Sequence, residues 1–174
     1  YLGLSAEFAL VYAISSALSI LSLRFWYLLA NRWSKQLAWT VAMVLVMLGL
    51  ITTGLLSPEN TSWPELLGCM ALITSGFACF NFIVPSLLSD IVDYGRWKFG
   101  TDRAATYFSL YTFINKTTFA LGGALALAIA GSVGFDPTMK THSAFVISGA
   151  RFAIAWIPAL FIVLSLFFIA RIPI

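Results

Sequence analysis

The chain has 174 residues, of which 60% are hydrophobic and only 10% charged, with a formal net charge of +3. So little polar surface cannot cover a water-soluble globule of this size, so lipid is the solvent for most of the chain. The positive excess does not point to nucleic acid, because the basic residues sit in short loops between apolar runs rather than on one soluble face.

A helix needs about 20 mainly apolar residues to cross the roughly 30 Å hydrocarbon layer. Five stretches are long enough: 8–30, 37–56, 66–89, 104–133 and 146–170. A β-barrel would need short segments of alternating polarity, whereas Val41 to Leu50 is apolar on every side. The expected fold class is therefore an all-α membrane protein.

The first stretch has no basic residues before it and no small-residue cleavage pattern after it, which argues against a secretory signal. An odd number of spans and a start without Met lead us to expect that the sequence is part of a longer chain. Placing the loop Asn31 to Gln36 in the cytoplasm gathers Arg24, Arg32, Lys35, Arg96, Lys98, Arg103 and Arg171 on that side. Only Lys140 and Arg151 then lie near the outside, as the positive-inside rule requires, and Ile174 falls inside.

The second stretch is apolar all round and reads as a lipid-facing support. The loop Ser57 to Glu65 holds Pro58, Glu59, Trp63 and Pro64, a composition that suits a short outer turn. Its Asn60 to Ser62 triplet matches a glycosylation acceptor, a pattern that also arises often by chance.

In the third stretch, Cys69 and Cys79 lie too far apart along one helix for a disulfide and read as buried small apolar side chains. Thr74, Asn81, Pro85 and Ser89 share a near-helical register, and Pro85 removes a backbone hydrogen bond. A bent, partly polar helix suits a moving element of a transporter, although proline is also common in membrane helices without that role. The segment Ser89 to Lys98, with Asp102 and Arg103, is densely charged. It suits either ion pairs that close an inner mouth or a solvated turn.

The fourth stretch carries Lys116 near its middle, and a lysine there costs about 2.5 to 3.5 kcal/mol on insertion scales. Such a residue faces a cavity or a partner charge. Ser109, Thr112, Lys116 and Gly123 fall on one helical stripe, and Tyr111, Asn115 and Thr118 on the next. Together they make a polar wall, read either as the lining of a pathway or as hydrogen-bond glue between helices.

The last outer loop contains Asp136-Pro137, a turn initiator, and the single histidine, His142, which reads as solvated rather than metal-bound. No phosphate loop, dinucleotide turn, nucleophile elbow or paired acid and base can be read, so neither cofactor nor enzyme chemistry is expected.

The run Asp90-Ile-Val-Asp-Tyr-Gly-Arg-Trp-Lys98, then Ser109-Leu-Tyr-Thr-Phe-Ile-Asn-Lys116 and Leu121-Gly-Gly123, resembles the glycoside-pentoside-hexuronide cation symporters, the melibiose permease family. Asn31-Arg32-Trp33 and Ile157-Pro158-Ala159-Leu160 extend the resemblance over most of the chain. It implies a major facilitator fold, with these five spans standing for helices eight to twelve of a twelve-helix transporter, an incomplete C-terminal half. It also implies sodium- or proton-coupled symport of a sugar or glycoside in the cell membrane, with the coupling cation bound mainly by the N-terminal half.

On this resemblance Lys116, Thr112, Tyr111 and Asn115 line the solute and cation pathway, and Asp90, Asp93 and Arg103 form a cytoplasmic gate. Lys116 then has three possible uses: hydrogen bonds to sugar hydroxyls, pairing with a cation-site carboxylate, or binding an anionic solute. Arg24 departs from the family pattern, and Asn115 to Thr118 is more polar than in many relatives, which bears on the substrate. A lipid-like or sulfonated solute and a non-transporting protein of the same fold are the alternatives. A channel is disfavoured, since one span alone has a polar wall.

Overall fold

The computed structural model describes residues 5–57, 61–136, 139, 143–169 and 171. Pro58, Glu59, Asn60 of the acceptor triplet, Pro137, Lys140, His142 and Ile174 lie outside them. The helices are α1 (Ser5–Arg32), α2 (Lys35–Leu55), α3 (Trp63–Phe99), α4 (Ala104–Ser132), α5 (Ala144–Arg151) and α6 (Ile157–Ile169). A π-helical turn, Phe152–Trp156, joins α5 to α6. Five helical stretches are long and apolar enough to cross a bilayer, and no strand occurs among the described residues. The fold is all-α.

Local chemistry sets the ends. Ser34 accepts a hydrogen bond from the Leu37 N–H at 3.0 Å, so only two residues separate the end of α1 from the start of α2. Glu65 accepts from the Ser62 N–H at 3.0 Å, and Pro64 sits in the first turn of α3, where its missing N–H costs nothing. Gly100, at φ +67°, ends α3 in the left-handed conformation and donates its N–H to Arg96 O.

The run Ser89 to Lys98 of the charged segment is helical, because α3 continues to Phe99, while Asp102 and Arg103 lie in the turn before α4. Nothing in Ser89 to Phe99 breaks a helix until Gly100, since Gly95 is solitary and the remaining residues tolerate helical geometry.

The bundle centres on α1, α2 and α3. Trp26, Ala38, Ala42, Cys79 and Ile83 form one fully buried cluster between them. Polar bonds join α1 to α3: Thr74 donates to Ser15 O at 3.0 Å and the Trp26 indole to Ser75 O at 2.9 Å. Both cysteines are buried free thiols.

Against the expected support role, α2 is the most buried helix, packed on α3 and on the last span. The reason is size rather than hydrophobicity. A Cβ on Gly49 would come within 3.1 Å of Cys69 O, and one on Gly76 within 2.8 Å of Ala42 O, so the backbones of α2 and α3 approach closely only because both are glycine. An all-apolar surface leaves the lipid-facing side undetermined until such small residues are paired.

In the last span, Pro158 has no N–H to offer, and Ile157 donates to Phe152 O five residues back. Ala153 and Ala155 of this turn are buried, the latter against Gly54 of α2. Hydrogen bonds tie both ends of this span to α2: Arg151 Nη2 donates to Leu56 O at 2.7 Å and Gln36 Nε2 to Ile169 O at 3.1 Å.

Helix α4 differs from the rest, because none of its residues is buried. It is held near its ends, by α3 through the Val92, Gly95 and Phe99 side and by α5 where Val133 covers Gly149.

Candidate functional site

At about 100° per residue, Ala104, Phe108, Tyr111, Asn115, Ala126 and Val133 share the partly covered side of α4 that turns toward the bundle. Lys116 lies roughly a third of a turn away from Tyr111 and Asn115, with Thr112 and Ser109, on the exposed side. The polar wall read from the sequence is therefore two faces.

On the bundle face, Asn115 Nδ2 donates to the Tyr111 hydroxyl at 3.2 Å. This leaves the amide oxygen of Asn115 and the phenolic proton of Tyr111 for a third group. On the exposed face, Thr112 returns its hydroxyl to Phe108 O at 2.8 Å and Ser109 to Thr106 O at 3.0 Å, so both alcohols are satisfied within the helix. Lys116 forms no hydrogen bond or ion pair with a described residue. Of the named site residues it is the cation presented outward from the middle of a span.

The register read from the sequence for α3 separates in the same way. Thr74 bonds to α1 and Ser89 donates to Pro85 O at 3.1 Å, so both serve packing. Asn81 is exposed and unbonded to described residues. Its spacing of seven, eleven and eighteen residues from Leu88, Val92 and Phe99 puts it on the side of α3 that meets α4. An amide there was visible in the sequence, but its direction was not, because facing depends on where α4 docks.

At the charged end of the bundle, Lys35 Nζ lies 2.5 Å from Asp90 Oδ2 and reaches Ser86 O at 3.5 Å, which ties the start of α2 to α3. Arg96 pairs with Asp102, and the Ala104 N–H donates to Asp102 Oδ1 at 3.0 Å. These two donors hold the Asp102 carboxyl below the usual carboxylate range, the backbone N–H first and Arg96 second. Arg103 and Tyr107 border a small open pocket with Val92, Gly95, Phe99 and Thr101. Asp93 is exposed, and neither it nor Arg103 pairs with a described residue. The structure thus brings Arg103 toward Tyr107 and commits Asp90 to Lys35. Among the described residues, no group of three or more His, Cys, Asp and Glu side chains comes together.

A family profile described as MFS/sugar transport protein matches residues 1–174. The uncharacterized symporter YjmB of Bacillus subtilis is 33% identical over 112 residues, 64% of this chain and 24% of that protein. A putative sulfoquinovose importer of Escherichia coli is 29% identical over 101 residues, 58% of this chain and 21% of that protein. A glucuronide carrier protein homolog of Escherichia coli is 29% identical over 104 residues, 60% of this chain and 22% of that protein. The matched stretches thus span less than a quarter of these relatives. No solved structure matches the chain.

Proposed function

Because the chain belongs to the MFS/sugar transport protein family, we propose that it forms part of a cation-coupled symporter that carries a sugar-type solute bearing an anionic group by alternating access. The observation that carries this reading is Lys116, a mid-span ammonium on an exposed helix face with no acidic partner among the described residues. Lysine at that depth costs about 2.5 to 3.5 kcal/mol unless a cavity or counter-charge receives it. A carboxylate or sulfonate on the solute supplies that counter-charge in the bound state. Sulfoquinovose and glucuronides, named for two relatives, are sugars that carry such groups.

In this reading Thr112 shares the solute-facing side with Lys116, and Tyr111, Asn115 and Asn81 border it on the bundle side. The Asn115–Tyr111 pair presents one acceptor and one donor of fixed spacing toward α3, which suits vicinal hydroxyls. Asn81 offers both from the opposing helix. The coupling cation, sodium or proton, binds outside these residues, in the half of the transporter that faces them.

Asp93 and Arg103 are the gate charges free to engage the opposing half when the inner mouth closes, while Asp90 holds α2 against α3 through Lys35. In this reading the α1–α2 and α3–α4 turns and the C-terminus face the cytoplasm of a cell-membrane protein, an orientation supported by the basic residues near those turns.

The test is uptake into proteoliposomes containing the full-length transporter, with sodium or proton gradients, over glucuronides, sulfoquinovose and neutral glycosides. Gradient-driven accumulation of the anionic sugars, lost in Lys116→Gln, is the expected result. Accumulation of neutral glycosides with equal efficiency would overturn the anionic assignment. A Lys116→Gln variant that changes cation dependence but keeps the preference for anions would assign the lysine to the cation site instead.

A further inference from the structure

Within the bundle, the side of α3 carrying Cys79, Ile83 and Leu87 packs against α2 and its neighbours. The Lys35–Asp90 pair marks where α2 begins. Past that point α3 runs on to Phe99 with the same side continued by Tyr94 and Trp97, four and seven residues after Asp90, and no helix of the described residues covers them. Both rings are open, at 55% and 80% exposure, and their centroids lie 5.9 Å apart.

Lys98 places its Nζ 5.5 Å from the Tyr94 ring and 5.6 Å from the Phe99 ring. Beside this face lies the α1–α2 turn, since Trp33, 71% exposed, and Arg32 are only two and three residues from Lys35. The local charges do not cancel. Asp90 is taken by Lys35 and Asp102 by Arg96, which leaves Lys98 and Arg32 against Asp93 alone at the margin.

We propose that this face, formed by Tyr94, Trp97 and Lys98 with Trp33 and Arg32 beside it, docks the headgroups of anionic phospholipids. Tyr94 and Trp97 sit about 6 and 10 Å beyond the ion pair along the helix, the depth at which aromatic rings collect between acyl chains and water. The ammonium over the rings and the neighbouring guanidinium meet the phosphate, and the indoles cover the glycerol region. Each basic side chain so placed near an anionic surface strengthens binding about fivefold, the factor equivalent to about 1 kcal/mol. The surface is separate from the solute wall on α4 and serves a transporter of any solute.

The experiment uses the full-length transporter in nanodiscs of phosphatidylcholine containing brominated phosphatidylglycerol or the same fraction of brominated phosphatidylcholine. The Trp97 emission is taken as the difference between wild type and Trp97→Phe. Stronger quenching by the anionic lipid, with the excess lost in Lys98→Glu while its melting temperature in phosphatidylcholine stays unchanged, is the expected result. Equal quenching by both lipids would overturn the headgroup assignment. No quenching by either would show that polypeptide covers the face and would overturn the proposal altogether.

Discussion

A single buried indole joins the first helix to the third. Trp26 is fully buried and donates to Ser75 O across the α1–α3 contact, so Trp26→Phe removes one hydrogen bond and leaves a small void. Interhelical bonds in membranes average about 0.6 kcal/mol, and the lost volume adds to that, so we expect a loss of about 1 to 2 kcal/mol in detergent unfolding. Asp102 gives a pH-dependent counterpart. Its folded-state pKa is depressed, so its clamp on Arg96 and the start of α4 is complete above the ordinary carboxylate value and is lost as pH falls through the lowered one. The protection factor of the Ala104 amide, its exchange measured against the intrinsic rate at each pH, should be high at neutral pH and fall on acidification, and Asp102→Asn should remove that dependence. At this scale the sequence singles out a charge set against lipid. Lys116 was conspicuous because a mid-span ammonium has few harmless explanations, whereas Asn81 shared a register with Thr74 and Ser89 that gave no hint of their different fates. The Thr74 and Ser89 hydroxyls return to carbonyls of their own helix, whereas the Asn81 amide meets no described partner, a distinction that spacing alone does not carry.

Among the helices, the close seam between α2 and α3 makes the sharpest demand. Gly76→Ala would set a methyl against Val46 and within 2.8 Å of the Ala42 carbonyl, a backbone atom that cannot step aside. We expect a loss of about 1 to 3 kcal/mol. Gly49→Ala meets Ile73 Cγ1 at 2.6 Å but leaves 3.1 Å to the nearest backbone atom, Cys69 O, a looser backbone approach than at Gly76, so it should cost less. Gly68→Ala meets nothing within 4 Å and should be neutral or stabilising by up to about 1 kcal/mol. Thermal unfolding of the three variants in one detergent checks the order. Helical character was plain in every apolar run, since hydropathy and length suffice for it. Which side of α2 faces protein was not, because its surface is apolar all round, and the direction is fixed by Gly49 of α2 against Cys69 and Ile73, and by Gly76 of α3 against Ala42 and Val46. The π turn was equally hidden, as Pro158 announces a missing bond without saying whether a kink or a wider turn absorbs it.

For the molecule as a whole, the contrast lies between a packed core of α1, α2, α3 and the last span, and an α4 held near its ends. If the exposed side of α4 receives solute, binding should order it more than it orders the core. Deuterium exchange of the full-length transporter with saturating solute and coupling cation should therefore slow along Ser109 to Thr118 while the α2–α3 seam stays unchanged, and uniform slowing would place the solute elsewhere. Membership of the transporter class was legible in the Asp90 to Lys98 and Ser109 to Lys116 runs, because that pattern of charges beside spans is specific. The spatial division of the α4 polar residues was not, since it depends on which side α3 and α5 occupy.

The two hydrogen bonds that fasten the last span to α2 join residues 133 and 95 positions apart in the chain. A ribosome therefore finishes α2 long before its terminal amide and carbonyl can meet Ile169 and Arg151. Until then Gln36 and the Leu56 carbonyl stay at the membrane surface without these partners. Nascent chains arrested after α4 should be recognised by membrane proteases, and pulse-chase decay should drop once synthesis passes Ile169, which makes completion of α6 the step that locks α2 in place.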